Sequence, residues 1–309
     1  MHPDFLCLAG PTTWSRGALI VVAHPDDETI GAGGAMPHLP IRGIVLVTDG
    51  APADRRWWGD SSFPSREAYA RTRREELACA LAVAGLDARC VRAMGVQDLR
   101  ASYHLPRLAK ELARIVRALD PGVILTHPYE GGHPDHDAVA FAVYAASRLT
   151  GQEPPSIVEF TSYHTGAEGE PVAGRFLPLH AQPSLPAFAV PGPVGPYGDL
   201  GEAVSLPATG FAGAQGEIAF SLSPDDRARK RRMMQCFASQ GEVLARWFPV
   251  TGVERFRIAP TYDFTRPPHR GTLKYERLDW GITGADWRAH AAAALSALEG
   301  APRDMRRRR

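Results

Sequence analysis

Apolar and polar residues alternate along this chain on two length scales. Short runs that are apolar on both faces read as strands buried inside a parallel sheet: residues 18–23, Ile41 to Thr48, Ala88 to Ala93 and Val123-Ile124-Leu125. Between them apolar residues recur at helical spacing. Glu28 to Pro37 starts a helix with Asp27 near its N-cap. Arg66 to Ala84 carries Tyr69, Leu77, Ala80, Leu81 and Ala84 on one face and is closed by Gly85. Leu105 to Leu119 carries Leu108, Leu112, Ile115, Val116 and Leu119, and Asp120-Pro121-Gly122 ends it. A fourth helix runs from Pro134 to Leu149. Strands alternating with amphipathic helices predict an α/β fold, a Rossmann-like, doubly wound and mostly parallel sheet.

The second half is less regular. Ile157 to Tyr163 is expected to be a fifth strand. Prolines and glycines crowd residues 171–207, which excludes regular helix and predicts a long ordered lid with short strands. Asp225 to Phe248 reads as one helix after Ser223-Pro224. Strands are expected within Val250 to Pro268, including 254–258, and an alanine-rich helix over Gly284 to Glu299. The expected organisation is a Rossmann-like core over residues 1–155. Residues 156–309 complete the same domain as an elaborated lid and substrate region, not as an independent unit.

Composition narrows the function classes. A chain of 309 residues buries a full core, and a formal net charge of +1 provides no broad field for nucleic acid. The first seven residues lack a basic, apolar leader, and no run reaches the length of a membrane span. Cys7, Cys79, Cys90 and Cys236 are scattered without a CxxC pair. Reduced thiols and a cytoplasmic location are therefore expected, with no cysteine metal site. The basic tail 306–309 is short and isolated, so it reads as a solvated end. Oligomeric state is not legible; a homo-oligomer is compatible.

Chemistry concentrates just beyond two of the strands. After the first comes Ala23-His24-Pro25-Asp26-Asp27-Glu28; after the fourth comes a segment ending in His133-Pro134-Asp135-His136-Asp137. Both repeat one design of apolar strand, His-Pro-Asp turn and helix. In open α/β sheets ligands bind at the carboxyl ends of the strands. Two such turns at one sheet edge can bring His24, Asp27 and His136 together, a set suited to one Zn²⁺ per chain with an open position for water. Asp26 adjoins a ligand, yet in an irregular turn its side chain can face that water. His133, three residues before His136, can share its face. The glycines of Gly31-Ala32-Gly33-Gly34 lack the G-x-G-x-x-G spacing, and carboxylates before them would repel a pyrophosphate, so they read as close helix–strand packing.

The unsubstituted Ala-His-Pro-Asp-Asp-Glu turn at 23–28 and His-Pro-Asp-His turn at 133–136 resemble those of the PIG-L/LmbE-like zinc-dependent N-deacetylases. The resemblance is good over the first half of the chain and loose over the second. It implies the same zinc ligands, His24, Asp27 and His136, with Asp26 as general base. It makes His133 the donor to the developing oxyanion, where a protonated imidazole would stabilise the charge, and Asp135 reads as the residue orienting His133 or a ligand. It also implies that Arg73, in the Arg-x-x-Glu spacing with Glu76, reaches substrate. Asp98, after Gly95, would bind a sugar hydroxyl. Some relatives carry a tyrosine where this chain has Gly131; whether Tyr129 replaces it in binding substrate is open. The implied activity is zinc-dependent removal of an N-acyl group, most often acetyl, from a small amino sugar or glycoconjugate. Alternatives are an amidase for a larger conjugate, an idle sugar-binding protein using the same pocket, or a nucleotide-binding oxidoreductase, which the missing fingerprint disfavours.

Glu28 reads as a helix cap or a support for the ligands, and Asp137 as scaffolding around them. Trp57-Trp58 serve either sugar stacking or loop anchoring. His127, His164 and His180 read as ordinary polar residues or lid contacts, and His2-Pro3-Asp4 is discounted because no strand precedes it.

Overall fold

The computed structural model describes residues 3–59, 62–151, 153–166, 169–178 and 216–299. His180, Asp60, the 306–309 tail and the expected lid from residue 179 onward lie outside the described residues. Strands β1 (Ala18–Val22), β2 (Ile41–Thr48), β3 (Val91–Val96), β4 (Val123–Thr126) and β5 (Ser156–Phe160) are parallel. After the short hairpin β6 (Tyr163–Thr165) and β7 (Pro171–Ala173), strands β8 (Glu217–Ser221) and β9 (Val253–Ile258) add antiparallel to the β5 edge. The main sheet has the order β3-β2-β1-β4-β5-β9-β8. Chain order reverses between β1 and β4, so the loops leaving those strands diverge around a crevice at the switch point. The two His-Pro-Asp turns follow β1 and β4.

Both faces of the sheet are covered. Leu19, Val21, Val45, Val47 and Ile124 pack under α5 (Leu105–Leu119), α6 (Pro134–Leu149) and α9 (Gly284–Glu299). The alternate residues Ile20, Val22, Ile44, Leu46 and Leu125 pack under α1 (Pro3–Ala9), α2 (Pro11–Ser15), α4 (Arg66–Val83) and α7 (Pro224–Gln235). That is why the strand sequences are apolar throughout rather than alternating. The short α3 (Asp27–Ala32) leaves the first turn.

Several expected boundaries move for identifiable reasons. The third strand starts at Val91, because Asp87 accepts from Arg89 N and winds Ala88–Cys90 into a 3-10 turn. The expected helix over 225–248 is broken. Between α7 and α8 (Gly241–Trp247), Ser239 donates through its backbone N and its Oγ to Glu76 of α4, at 2.7 and 2.6 Å. The glycines after Glu28 are packing residues, as expected: a Cβ at Gly31 would lie 2.1 Å from the Phe160 ring. The helix there stops at Ala32 rather than Pro37.

Candidate metal centre

Lone-pair-bearing atoms of three residues face one another in the crevice. His24 Nδ1 lies 3.1 Å from Asp27 Oδ2 and 3.2 Å from His136 Nε2; His136 Nε2 lies 3.3 Å from Asp27 Oδ1. All three residues are buried. A tetrahedral ion with bonds of about 2.0–2.1 Å holds its ligand atoms about 3.3 Å apart. The far side of each imidazole has its own partner. His24 Nε2 is 3.1 Å from Asp98 and 3.5 Å from Asp135, and His136 Nδ1 is 3.1 Å from Ser162 Oγ. Such partners place the proton on the far nitrogen and leave the near one free as a donor to metal.

Two other histidines crowd the cluster, but their lone pairs are engaged elsewhere. His127 stacks on His136 with centroids 3.9 Å apart and planes 9° apart. Its Nε2 lies 3.3 Å from Asp27 and accepts from Ala23 N at 3.1 Å, so that lone pair is already engaged. His133 caps α6 by accepting from Asp135 N through Nδ1, which puts its own proton on Nε2. Burial, with His24 and His136 nearby, pushes His133 well below its usual pKa, so it is a neutral donor rather than an imidazolium. Burial also lowers His136, to about 3.

Charge in the crevice is anionic and crowded. Burial opposes a charge on Asp27, yet His136, His127 and His24 together hold its carboxyl well below the usual range. Burial likewise opposes a proton on His24, and Asp98 and Asp27 more than offset it. A site that draws a proton onto a buried imidazole in this way also draws a cation.

The adjacent aspartates diverge because the backbone turns at Asp26, whose φ of 151° and ψ of −24° are unusual for a residue with a side chain. Asp27 points to the imidazoles. Asp26 Oδ2 points to Arg73, accepting from Nη2 at 2.9 Å. Burial raises the Asp26 carboxyl to about 7, against the pull of Arg73. Glu28 ties the turn from behind, accepting from Asp26 N and from Thr29 Oγ1, and burial raises it to about 8. Asp137 does the same for the second turn, accepting from Glu130 N and Gly131 N.

The residues read as contacting substrate fare differently. Arg73 is buried, and its Nη groups are spent on Asp26, Pro25 O and Gly50 O. Asp98 lies against His24. Asp135 supports His24 and the loop after β3, accepting from Leu99 N and Ala101 N; it does not turn its carboxylate on His133. Tyr129 is not brought to the crevice: its hydroxyl donates to Arg266 O and its ring stacks on Trp287 in the core. A side chain at 131 would be strained, since φ is 69° and a Cβ would press on the end of Leu273 at 2.7 Å. Trp58 anchors its loop by stacking on Tyr69, while Trp57 meets Trp280 edge-on. His164 bonds to backbone oxygens, as an ordinary polar residue does. Ser162 was missed: it stands between two strands, with no signal but its neighbourhood in space.

Comparison with known proteins gives the chain a family. The profile of the PIG-L family, described as GlcNAc-PI de-N-acetylase, matches residues 19–147. A probable N-acetyl-alpha-D-glucosaminyl L-malate deacetylase 2 of Bacillus cereus is 32% identical over 163 residues, covering 50% of this chain and 73% of that protein. The chain belongs to the PIG-L family. A diacetylchitobiose deacetylase of Thermococcus kodakarensis is 30% identical over 170 residues, 48% of this chain and 60% of that one. Among solved structures, the A40926 pseudoaglycone deacetylase Dbv21 superposes with a TM-score of 0.53 at 19% identity, over 80% of this chain and 98% of that one. That likeness speaks for the fold. The family match takes in both turns, and no helix among the described residues is long and apolar enough to cross a membrane.

Proposed function

We propose that this chain is a zinc-dependent N-deacetylase that hydrolyses the N-acetyl group of an amino sugar or glycoconjugate. The observation that carries the reading is the triangle of residues in which His24 Nδ1 and His136 Nε2 lie 3.2 Å apart and the Asp27 carboxylate reaches them through Oδ2 at 3.1 Å and Oδ1 at 3.3 Å. Two imidazoles and one carboxylate at that spacing suit Zn²⁺ with a position left open. When bound, the ion polarises the amide carbonyl and makes water acidic near pH 7. The PIG-L membership and the relatives named as deacetylases of N-acetylated sugars support the substrate class.

The chain's own groups supply the rest. Asp26 removes the proton of the attacking water and later delivers it to the leaving nitrogen, releasing acetate and the free amine. Arg73 holds that carboxylate in place at 2.9 Å. His133 donates from Nε2 to the amide oxygen as it gains charge, and as a neutral imidazole it does so without adding a second full cation. Asp98 and Asp135 keep His24 in the tautomer that points Nδ1 inward. We read the second half of the chain as completing the same domain, a reading supported by β5 and β9 being strands of the sheet that holds both turns.

Asp26→Ala tests the assignment. Amine release from N-acetylglucosamine derivatives is expected to fall about 10²–10⁴-fold while bound zinc, measured by elemental analysis, stays stoichiometric. Retained activity with lost zinc would overturn the roles given to Asp26 and Asp27.

A further inference from the structure

Two hydrogen-bond donors beside the cluster have no acceptor among the described residues. The Lys274 ammonium lies 4.4 Å from the centre of the Tyr163 ring and 5.7 Å from that of Trp280. Both rings border the crevice: Tyr163 is 5.3 Å from His136, and Trp280 is 4.5 Å from His133. The second donor is the indole Nε1 of Trp280, which is buried and unpartnered. The acidic groups of the site are engaged elsewhere, Asp26 with Arg73 and both Asp27 and Asp98 with His24. Burial, with no anion to offset it, lowers Lys274 to about 8. Ring faces compensate a desolvated cation only in part.

The placement is built into the backbone. Lys274 N donates to Gly131 O at 3.0 Å, pinning this segment to the turn that carries His133. Leu273 packs on the bare face of Gly131, and Glu276 closes the following 3-10 turn by accepting from Leu273 N and Gly284 N at 2.7 and 2.8 Å. A rigid segment thus presents a cation at the rim and leaves its N–H groups unused.

We propose that Lys274 is an anion-reading residue: a carboxylate or phosphate carried by the substrate, away from its acyl group, docks on the ammonium beside Tyr163 and Trp280. The word substrate here rests on the deacetylase reading; the docking of an anion does not. A charge-assisted hydrogen bond of this kind is worth about tenfold or more in discrimination.

The test uses the zinc-loaded full chain and three compounds: methyl N-acetylglucosaminide, its carboxymethyl counterpart and N-acetylglucosamine 1-phosphate. Wild type is expected to favour an anionic compound over the neutral one by about tenfold or more in kcat/KM, expressed in KM. The carboxymethyl and phosphate arms tell which anion is read. In Lys274→Met the ratio falls toward one, while Lys274→Arg retains most of it. A wild-type ratio near one for both anions, or an unchanged ratio in Lys274→Met, overturns the proposal. If no compound is hydrolysed, the deacetylase reading fails. Calorimetry with glucosamine 1-phosphate and methyl glucosaminide then still decides this one: equal preference in wild type and Lys274→Met sinks it. A thermal melt of each variant confirms folding.

Discussion

At the scale of single residues, the site depends on which lone pair each imidazole exposes. Four histidines lie within touching distance, and the hydrogen bonds at their ring nitrogens decide which lone pairs stay available. His136 keeps Nε2 inward because Ser162 holds Nδ1. Removing such a partner typically costs 10–100-fold in metal affinity. Ser162→Ala is therefore expected to weaken zinc binding by roughly that factor in a chelator competition titration, with the fold intact by circular dichroism. An unchanged affinity would show that packing against His127 alone orients the ring. The backbone at Asp26 belongs to this scale as well. Two neighbouring carboxylates face different partners because one residue adopts φ 151°, a geometry that costs about 1–3 kcal/mol and is held by Arg73 and Glu28.

At the scale of elements, α7 shows how a helix end stores pH-dependent stability. Ser223 and Asp226 form a reciprocal capping box, and His38 and Arg229 also reach the Asp226 carboxylate. Burial would raise this carboxyl, but the hydrogen bonds from Ser223 and His38 outweigh it and bring it down to about 2. A depressed carboxyl stabilises the fold above its unfolded value near 3.8, and the contribution fades as pH falls toward about 2. Allowing for solvent screening at the surface, it is worth roughly 1–2 kcal/mol. Asp226→Asn is expected to lower stability by about that much at pH 7. It should flatten the decline that wild type shows between about pH 4 and 2 in urea titrations. A variant that declines as steeply as wild type would assign the effect to other carboxylates. The interruption after α7 has the same local character: Glu76 captures the amide and hydroxyl of Ser239, so a sequence with helical composition bends there.

At the scale of the molecule, the antiparallel addition is locked to the parallel core by one buried cation. Arg257 of β9 bonds to Glu159 of β5 at 2.7 Å, to Glu130 at 3.1 Å and to Leu177 O at 3.0 Å. Glu130 lies in the loop that leads to His133, so the same guanidinium connects the sheet edge to the second turn. Removing it strands two buried carboxylates, both raised to about 7 by burial even with Arg257 present. Arg257→Met is expected to cost about 3–5 kcal/mol in urea unfolding, far more than an exposed arginine would. The proposed zinc would act on this scale too. A ligand held only by the folded chain stabilises it by mass action, about 2.7 kcal/mol at a hundredfold excess over Kd. Chelation is thus expected to lower Tm and re-addition of zinc to restore it; a Tm indifferent to both would count against the triangle as a metal site.

The sequence alone determined the parallel core, the two turns and the membership of His24, Asp27 and His136 in one cluster. These follow from local patterns: unbroken apolar strands, helical periodicity and polar turns at the carboxyl ends of strands. Such patterns are written in contiguous residues, so they survive without knowledge of the fold. What touches what across the crevice is not local. Ser162, Lys274 and Trp280 join the site, and Tyr129 leaves it for the core, through contacts between segments far apart in the chain. The chain order of strands reverses between β1 and β4, and only closure of the sheet around that point decides which side chains line the opening.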